Sequence, residues 1–298
     1  MEQKFKSMTI FDFQAKFPDE RSCISYLAEL KWKDGYVCPK CGNKKYCAGS
    51  DEFDRQCTKC NYLESPTSRT LFHKTKFSIL KAFYIVFYVS TSKKGISSTE
   101  LSRKLGLRQK TCWSFKQKVM RGMKSSGNFK ITGNAEVDET VVGGQEEGVR
   151  GRKNGKKKLV VFAIERKGKG VSRMYGKVIN KSSAKELGEF MKDVIDTDAT
   201  VKTDEWLGYT PLKKDFIHLS QVKSGKKGEN FPDLHRIIMG FKGWLRGMHH
   251  NVNYLQRYID EYCYRFNRCH MKETIFDNLL LRMVKADPFP QKLYSINA

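Results

Sequence analysis

Two cysteine pairs limit the fold of this chain more than any other feature. Cys38-Pro39-Lys40-Cys41-Gly42 is followed by Cys57-Thr58-Lys59-Cys60, a C-x2-C-x15-C-x2-C pattern. Each pair forms a tight knuckle whose thiolates point at one tetrahedral ion, and four soft sulfurs suit Zn²⁺. Four protein ligands also close the shell and leave no open position for chemistry. Cys38, Cys41, Cys57 and Cys60 therefore predict a structural zinc ribbon; a redox CxxC would not need a second pair. So small a module cannot bury much core, and the metal supplies the stability instead. Cys23 and Cys47 fall outside the pattern and read as ordinary thiols.

The charge balance says what a ribbon-bearing chain would meet. Lys+Arg is 56 against 32 for Asp+Glu, a formal charge of +24 over 298 residues. Such an excess favours a polyanion, usually nucleic acid, over the alternative of a ribosome-associated or merely basic protein. The basic residues are spread along the chain among aromatics, which suggests long DNA-facing surfaces rather than a detachable tail. Met1 to Lys16 lacks the apolar segment of a signal peptide, and the longest apolar run, Ala82 to Val89, is too short for a bilayer. A cytoplasmic, nucleoid-associated protein is expected. In that reducing setting its nine cysteines are metal ligands or buried thiols.

The chain has room for two or three modules. Ile10 to Leu30 reads as one or two amphipathic helices anchored by Phe11, Phe13, Phe17, Cys23, Tyr26 and Leu27. Beyond the ribbon, Ser65 to His73 is a bridge and Ile79 to Ser90 a buried helix. Ser97 or Ser98 caps a further helix that Gly106 ends. Arg108 to Met123 makes a third, with Trp113, Phe115 and Val119 alternating with Lys110, Lys116, Lys118 and Arg121. Helix, glycine-containing turn and basic helix form the helix-turn-helix pattern, whose second helix enters the major groove. A helical hairpin with a solvated basic face is the other reading. The expected boundaries are 1–74 for N-terminal helices and ribbon, 75–127 for the helix-turn-helix, and 128–298 for a catalytic domain.

From Asn134 the periodicity changes. Strands are expected at Glu136 to Val142, Leu159 to Ile164 and Val171 to Ile179, the second nearly all apolar and so buried. A helix at Ala184 to Ile195 follows, then strands at Thr200 to Asp204 and Phe216 to Val222. Helices at Pro232 to Met248 and Asn253 to Asn267 close the domain, with proline suited to a first helical turn. This order gives an α/β fold, a mixed sheet with flanking helices. The basic stretches Arg150 to Lys158, which holds Arg152 and Lys156, and Lys223 to Lys227 are either phosphate-gripping loops or plain solvated ones. No Gly-x4-Gly-Lys-Ser/Thr loop is present, so nothing suggests ATP-driven chemistry.

Phosphodiester transfer needs cations about 4 Å apart, held by acids that converge from separate elements. Asp138 and Asp204 each sit in or at a short apolar strand, where an uncompensated charge is costly. Taken singly, each is equally a strand-end cap or an ion-pair partner. At 100° per residue, His235, Lys242 and Arg246 share one side of the Pro232 helix, next to an apolar arc of Leu234, Ile237, Phe241 and Leu245. His235 would either complete a metal shell through nitrogen or be a plain structural histidine, the commoner role of a lone helical His. Lys242 would hold a DNA phosphate near the reacting bond, with Arg246 beside it.

These motifs together resemble a known family. Cys-Pro-x-Cys-Gly with its second knuckle, Val137-Asp138-Glu139-Thr140 with Gly143-Gly144, Thr203-Asp204-Glu205-Trp206, Leu245-Arg246-Gly247 followed by His249-His250, and Arg265-Phe266-Asn267-Arg268 occur in the order found in bacterial insertion-sequence transposases of the zinc-ribbon-headed, ISXO-like group. The resemblance runs from about Phe11 to Arg268. It implies an RNase H-like, DDE-type core that cuts element ends and joins them to target DNA with Mg²⁺ or Mn²⁺. Asp138 and Asp204 would be its catalytic aspartates. Its partners would be inverted-repeat DNA and target DNA, and two ends joined in one reaction imply a dimer or larger assembly. The family helix commonly carries Asn-x-x-Glu and a Lys seven residues after the Glu. Here Pro232 stands at the Asn, His235 at the Glu and Lys242 at the Lys. A nitrogen ligand is poorer for Mg²⁺ and more acceptable to Mn²⁺. A non-catalytic DNA-binding regulator and a structure-selective nuclease are the competing readings.

Overall fold

The computed structural model describes residues 7–143, 157–225, 229–248 and 253–294. They fall into two compact units, one holding the residues up to Met123 together with those from His270 onward, the other Lys124–Cys269.

The first unit opens with α1 (Ile10–Lys16) and α2 (Glu20–Lys31), each started by a reciprocal capping box. Thr9 pairs with Asp12 in one and Asp19 with Ser22 in the other, satisfying amides that the first turn leaves without helical partners. The ribbon follows as three short antiparallel strands, β1 (Tyr46–Ala48), β2 (Arg55–Cys57) and β3 (Leu63–Glu64). Its core is small: Trp32, Tyr36, Cys38 and Cys57, with Arg55 stacked over Trp32 at 4.2 Å and over Tyr46 at 4.1 Å. Then come α3 (Ile79–Thr91), α4 (Ser98–Leu105) and α5 (Gln109–Met123). Ser97 caps α4 by accepting from the Glu100 amide. Gly106 ends it at φ 59°, a left-handed conformation that glycine adopts without a Cβ clash. The α4-turn-α5 pair has the element order expected of a helix-turn-helix, which a helical hairpin would share.

The second unit is built on a five-stranded mixed sheet. Its strands are β4 (Asn134–Val142), β5 (Lys158–Lys167), β6 (Gly170–Ile179), β7 (Thr200–Thr203) and β8 (Leu219–Gln221), in the order β6-β5-β4-β7-β8. The first three run antiparallel; β7 is parallel to β4 and β8 to β7. With α6 (Ala184–Val194), α7 (Pro232–Met248) and α8 (Leu255–Asn267), this is the RNase H-like arrangement. Ala135, Val137, Val161 and Ala163 pack with Leu187, Phe190 and Met191 of α6 on one face. On the other, the Phe162 ring meets Phe241 of α7 at 5.4 Å. Burial on both faces explains why β5 lacks an apolar–polar alternation. The expected strand at Phe216 to Val222 shortens to Leu219–Gln221.

α8 also covers the β6 edge. Asn267 accepts from the Met174 amide at 2.8 Å and donates to the Met174 carbonyl at 2.9 Å. Gln256 does the same for the Val178 amide (2.8 Å) and the Gly176 carbonyl (3.2 Å). An edge strand is a template for unwanted pairing, and these amides occupy its backbone groups. The Arg-Phe-Asn-Arg motif is thus structural at Asn267. It is structural at Arg265 as well, which pairs with the fully buried Glu261 at 2.8 Å.

One expected boundary is corrected. The reading that closed the catalytic domain at 298 placed no helix after Asn267, yet α9 (Ile275–Lys285) forms and belongs to the first unit. Phe276, Leu279, Leu280 and Met283 form a buried stripe. Phe276 packs against Phe13, Phe17, Phe83 and Phe87, and Arg282 donates to the Gly122 carbonyl at 2.7 Å. The N-terminal helices leave an apolar surface that this stripe fills. Ribbon and helix-turn-helix, expected as separate domains, lie within this same unit. Among the described residues, no helix is long and apolar enough to cross a membrane.

Candidate active site and metal centres

The four ribbon cysteines converge, with one ligand atom from each within 4.8 Å of the others. Sγ of Cys38 lies 3.5 Å from that of Cys60, and Sγ of Cys41 3.6 Å from that of Cys57. Four thiolates at ~2.3 Å from one tetrahedral ion stand roughly 3.8 Å apart, whereas a disulfide needs about 2.05 Å. The donor set fits zinc. For Cys57, burial raises the thiol pKa. The Asn43 amide and the Cys60 and Lys59 backbone N–H groups outweigh it and bring the thiol down to about 6. A thiolate so favoured is the form a metal requires.

The second centre comes from strand register. The parallel ladder pairs Val137 of β4 with Thr203 of β7 and stops there. The next residue on each strand is an aspartate, Asp138 and Asp204. Their carboxylates and that of Glu139 each bring one ligand atom to within 4.8 Å of the others. All three side chains are half-buried. Asp138 Oδ1 accepts from the Glu139 amide at 2.7 Å, and Asp204 Oδ1 from the Trp206 amide at 3.1 Å. Glu139 Oε2 accepts from the Tyr209 hydroxyl at 2.5 Å. Tyr209 is fully buried. Burial, with Glu139, Asp138 and Asp204 adding to it, holds its phenol well above the usual range.

The Thr-Asp-Glu-Trp turn is fixed from behind. Trp206 Nε1 donates to the Ser182 carbonyl at 2.8 Å, and a Cβ on Gly208 would fall 2.6 Å from that nitrogen. Only glycine lets the chain pass so close. Hard carboxylate oxygens suit Mg²⁺ or Mn²⁺ rather than a soft metal, so this donor set also fits the cation its chemistry implies.

On α7, the apolar arc is buried as expected at Leu234, Ile237, Phe241 and Leu245. Lys242 is half-buried; burial and Arg246 lower its ammonium pKa while Asp138 raises it, which sets Lys242 within electrostatic reach of the acid group. Arg246 is exposed. His235 is exposed too, and it is not in the group of converging ligands. The N-terminal end of α7 is tied to the sheet by Arg166, which reaches Glu136 at 3.4 Å and Asp233 at 3.3 Å.

Glu139 was missed by sequence reasoning, although it adjoins Asp138. Strand alternation sends adjacent side chains to opposite faces, and only the end of the β7 ladder lets both reach one place. Of the basic residues proposed for DNA, Lys110 and Arg121 are exposed on α5. Lys118 is half-buried and donates to the His73 carbonyl at 3.0 Å. Lys116 is corrected: it is only 3% exposed and donates to the Ile96 carbonyl at 2.7 Å, because its position faces the helical core. Arg152 and Lys156 lie outside the described residues.

Residues 130–267 match the ISXO2-like transposase domain, and residues 18–63 match the transposase zinc-ribbon domain. Those two regions are an ISXO2-like transposase domain and a transposase zinc ribbon. The second unit carries the DDE domain and the first unit the ribbon. The chain is 25% identical over 221 residues to an uncharacterized protein in transposable element ISH50 of Halobacterium salinarum, covering 67% of this chain and 72% of that one. A solved pre-cleavage Mos1 transpososome aligns over 69% of this chain and 79% of its own, at 10% identity and a TM-score of 0.23, too low to inform the fold.

Proposed function

We propose that this transposase binds the ends of its insertion sequence, cleaves them and joins them to target DNA by two-metal-ion phosphodiester transfer. The observation that carries the reading is the convergence of Asp138 and Asp204 from β4 and β7. When bound, Mg²⁺ or Mn²⁺ supplies activation of the attacking oxygen and stabilisation of the leaving one. Asp138 and Asp204 would hold those cations. Lys242, partly withdrawn from water, contacts a phosphate beside the reacting bond, where a desolvated ammonium acts strongly.

By the family resemblance, His235 would take the place of the helix Glu. Exposed and on the side of α7 that carries Lys242, it would meet the DNA, and as a metal ligand it would favour Mn²⁺ over Mg²⁺. Lys110, Arg121 and Arg246, together with Arg152 and Lys156, would contact the DNA backbone, whereas Lys118 is engaged by the His73 carbonyl. Two ends processed together call for a dimer or larger assembly on DNA, and the protein would sit on the nucleoid.

The test is incubation with labelled element-end DNA, with and without Mg²⁺ or Mn²⁺. Wild type should cleave and join only with the metal. Asp138→Ala should lose both reactions and keep end binding; equal loss of binding would point to folding and sink the assignment. For His235→Ala, unchanged turnover in Mn²⁺ would take the imidazole out of the metal's surroundings.

A further inference from the structure

We propose that Glu139, positioned by the buried hydroxyl of Tyr209, supplies the third carboxylate of the cation site. This rests on the metal-dependent reading above and names a ligand that reading does not contain.

The geometry supports it in three ways. First, the ligand atoms that meet within 4.8 Å belong to Asp138, Glu139 and Asp204, and His235 is not among them. Second, Glu139 reaches the group by an unusual route. On β4 it follows the alternation of Val137, toward the core that Tyr209 shares with Val137 and Val201. Asp138 follows that of Glu136, toward α7 and Lys242. Because the ladder with β7 ends at Val137, no strand neighbour separates the two carboxylates on that side.

Third, Glu139 is held. Tyr209 is fully buried, and its hydroxyl donates to Oε2 at 2.5 Å. A tyrosine in an apolar core needs one partner for its O–H, and here the partner is an acid of the cluster. The residues around it keep the ring in place: Leu212 and Phe216 share its core, and Gly208 allows the chain to turn tightly behind Trp206. Three carboxylates this close repel one another, and a divalent cation relieves that repulsion. On this inference the site holds three carboxylates, the third drawn from the residue next to Asp138.

The test measures cation binding on the zinc-loaded full chain, by Mn²⁺ electron paramagnetic resonance and by the melting-temperature rise on adding Mn²⁺. Glu139→Gln keeps an oxygen to accept from Tyr209 and removes the charge. It should weaken Mn²⁺ at least tenfold and leave the metal-free melting temperature unchanged or higher. Tyr209→Phe should weaken Mn²⁺ several-fold with the fold intact by circular dichroism. Wild-type Mn²⁺ affinity in Glu139→Gln, alongside lost affinity in Asp138→Asn, would overturn this inference and leave the proposed function standing. A loss in His235→Ala as large as that in Glu139→Gln would return the third place to α7. A lower metal-free melting temperature with an undiminished Mn²⁺ shift would make Glu139 purely structural. Absence of saturable Mn²⁺ binding in wild type would sink the metal-dependent reading itself.

Discussion

Thr203 lies opposite Val137 in the parallel ladder between β7 and β4, and that pairing sets Asp204 beside Asp138. Thr203 is fully buried and Val137 fully apolar and buried, so the register is held by packing rather than by the acids themselves. A slip of one residue would turn Val137 out of its core, which is why register is strongly specified in buried strands. The energy that brings the carboxylates together is therefore hydrophobic, drawn from Val137, Val201 and their neighbours on α6.

Removing the ribbon metal should unfold the ribbon. Its apolar core is little more than Trp32, Tyr36, Cys38 and Cys57, while structural zinc contributes roughly 10 kcal/mol or more in comparable small modules. Cys41→Ser, or chelation of the wild type, should release zinc, lower the melting temperature and weaken end binding together. Full zinc content and unchanged end binding in Cys41→Ser would refute this.

Lys110 and Lys116 should separate in a salt titration of end binding. Each phosphate that the protein no longer neutralises reduces the log–log salt slope by about 0.9, so Lys110→Ala should flatten it by roughly that amount. Lys116 is buried on the Ile96 carbonyl, and Lys116→Ala should instead cost about 1–3 kcal/mol of stability with the slope unchanged. Equal slope changes in the two variants would put Lys116 back on the DNA face.

Asn267→Ala should destabilise the second unit. It leaves the Met174 amide and carbonyl of an edge strand without their side-chain partners, at a cost of about 1–3 kcal/mol. The variant should also aggregate more readily on warming, because the exposed edge invites strand pairing. A melting temperature indistinguishable from wild type would contradict the assignment of Asn267 as an edge cap.

Glu136 predicts a pH dependence. Its carboxyl pKa is raised in the fold, by burial first, against the pull of Arg166 and Lys202. Between the unfolded value of 4.5 and the raised folded one, the native state binds more protons than the unfolded state. Its contribution is therefore present below the unfolded value and lost as pH rises through the folded one. Relative to Glu136→Gln, the wild type should lose stability as pH climbs through this window. A difference that stays constant or grows with pH, followed by denaturant midpoints, would show that the Arg166 pair outweighs burial.

Much of this was legible in the residues. The cysteine spacing named the ribbon, a cap at Ser97 or Ser98 and a stop at Gly106 marked α4, and the apolar run of β5 announced a strand buried on both faces. Lys116 shows where that legibility failed. A lysine within an alternating basic pattern looks solvated, and only the packing of α5 shows that this turn faces inward. α9 shows it again: its stripe of Phe276, Leu279, Leu280 and Met283 was there to be read, but the core it fills comes from residues at the other end of the chain.

The amino-acid sequence by itself determined the family, the zinc ligands, the mixed sheet and the two aspartates, because spacing, periodicity and charge are local properties. Tertiary structure alone decided that the Glu139 carboxylate converges with those aspartates while His235 lies outside that group, that α9 completes the first unit, and that Asn267 guards an edge. Each of those outcomes depends on which distant surfaces meet, and no local pattern encodes the end of a ladder or the shape of a space left by other helices.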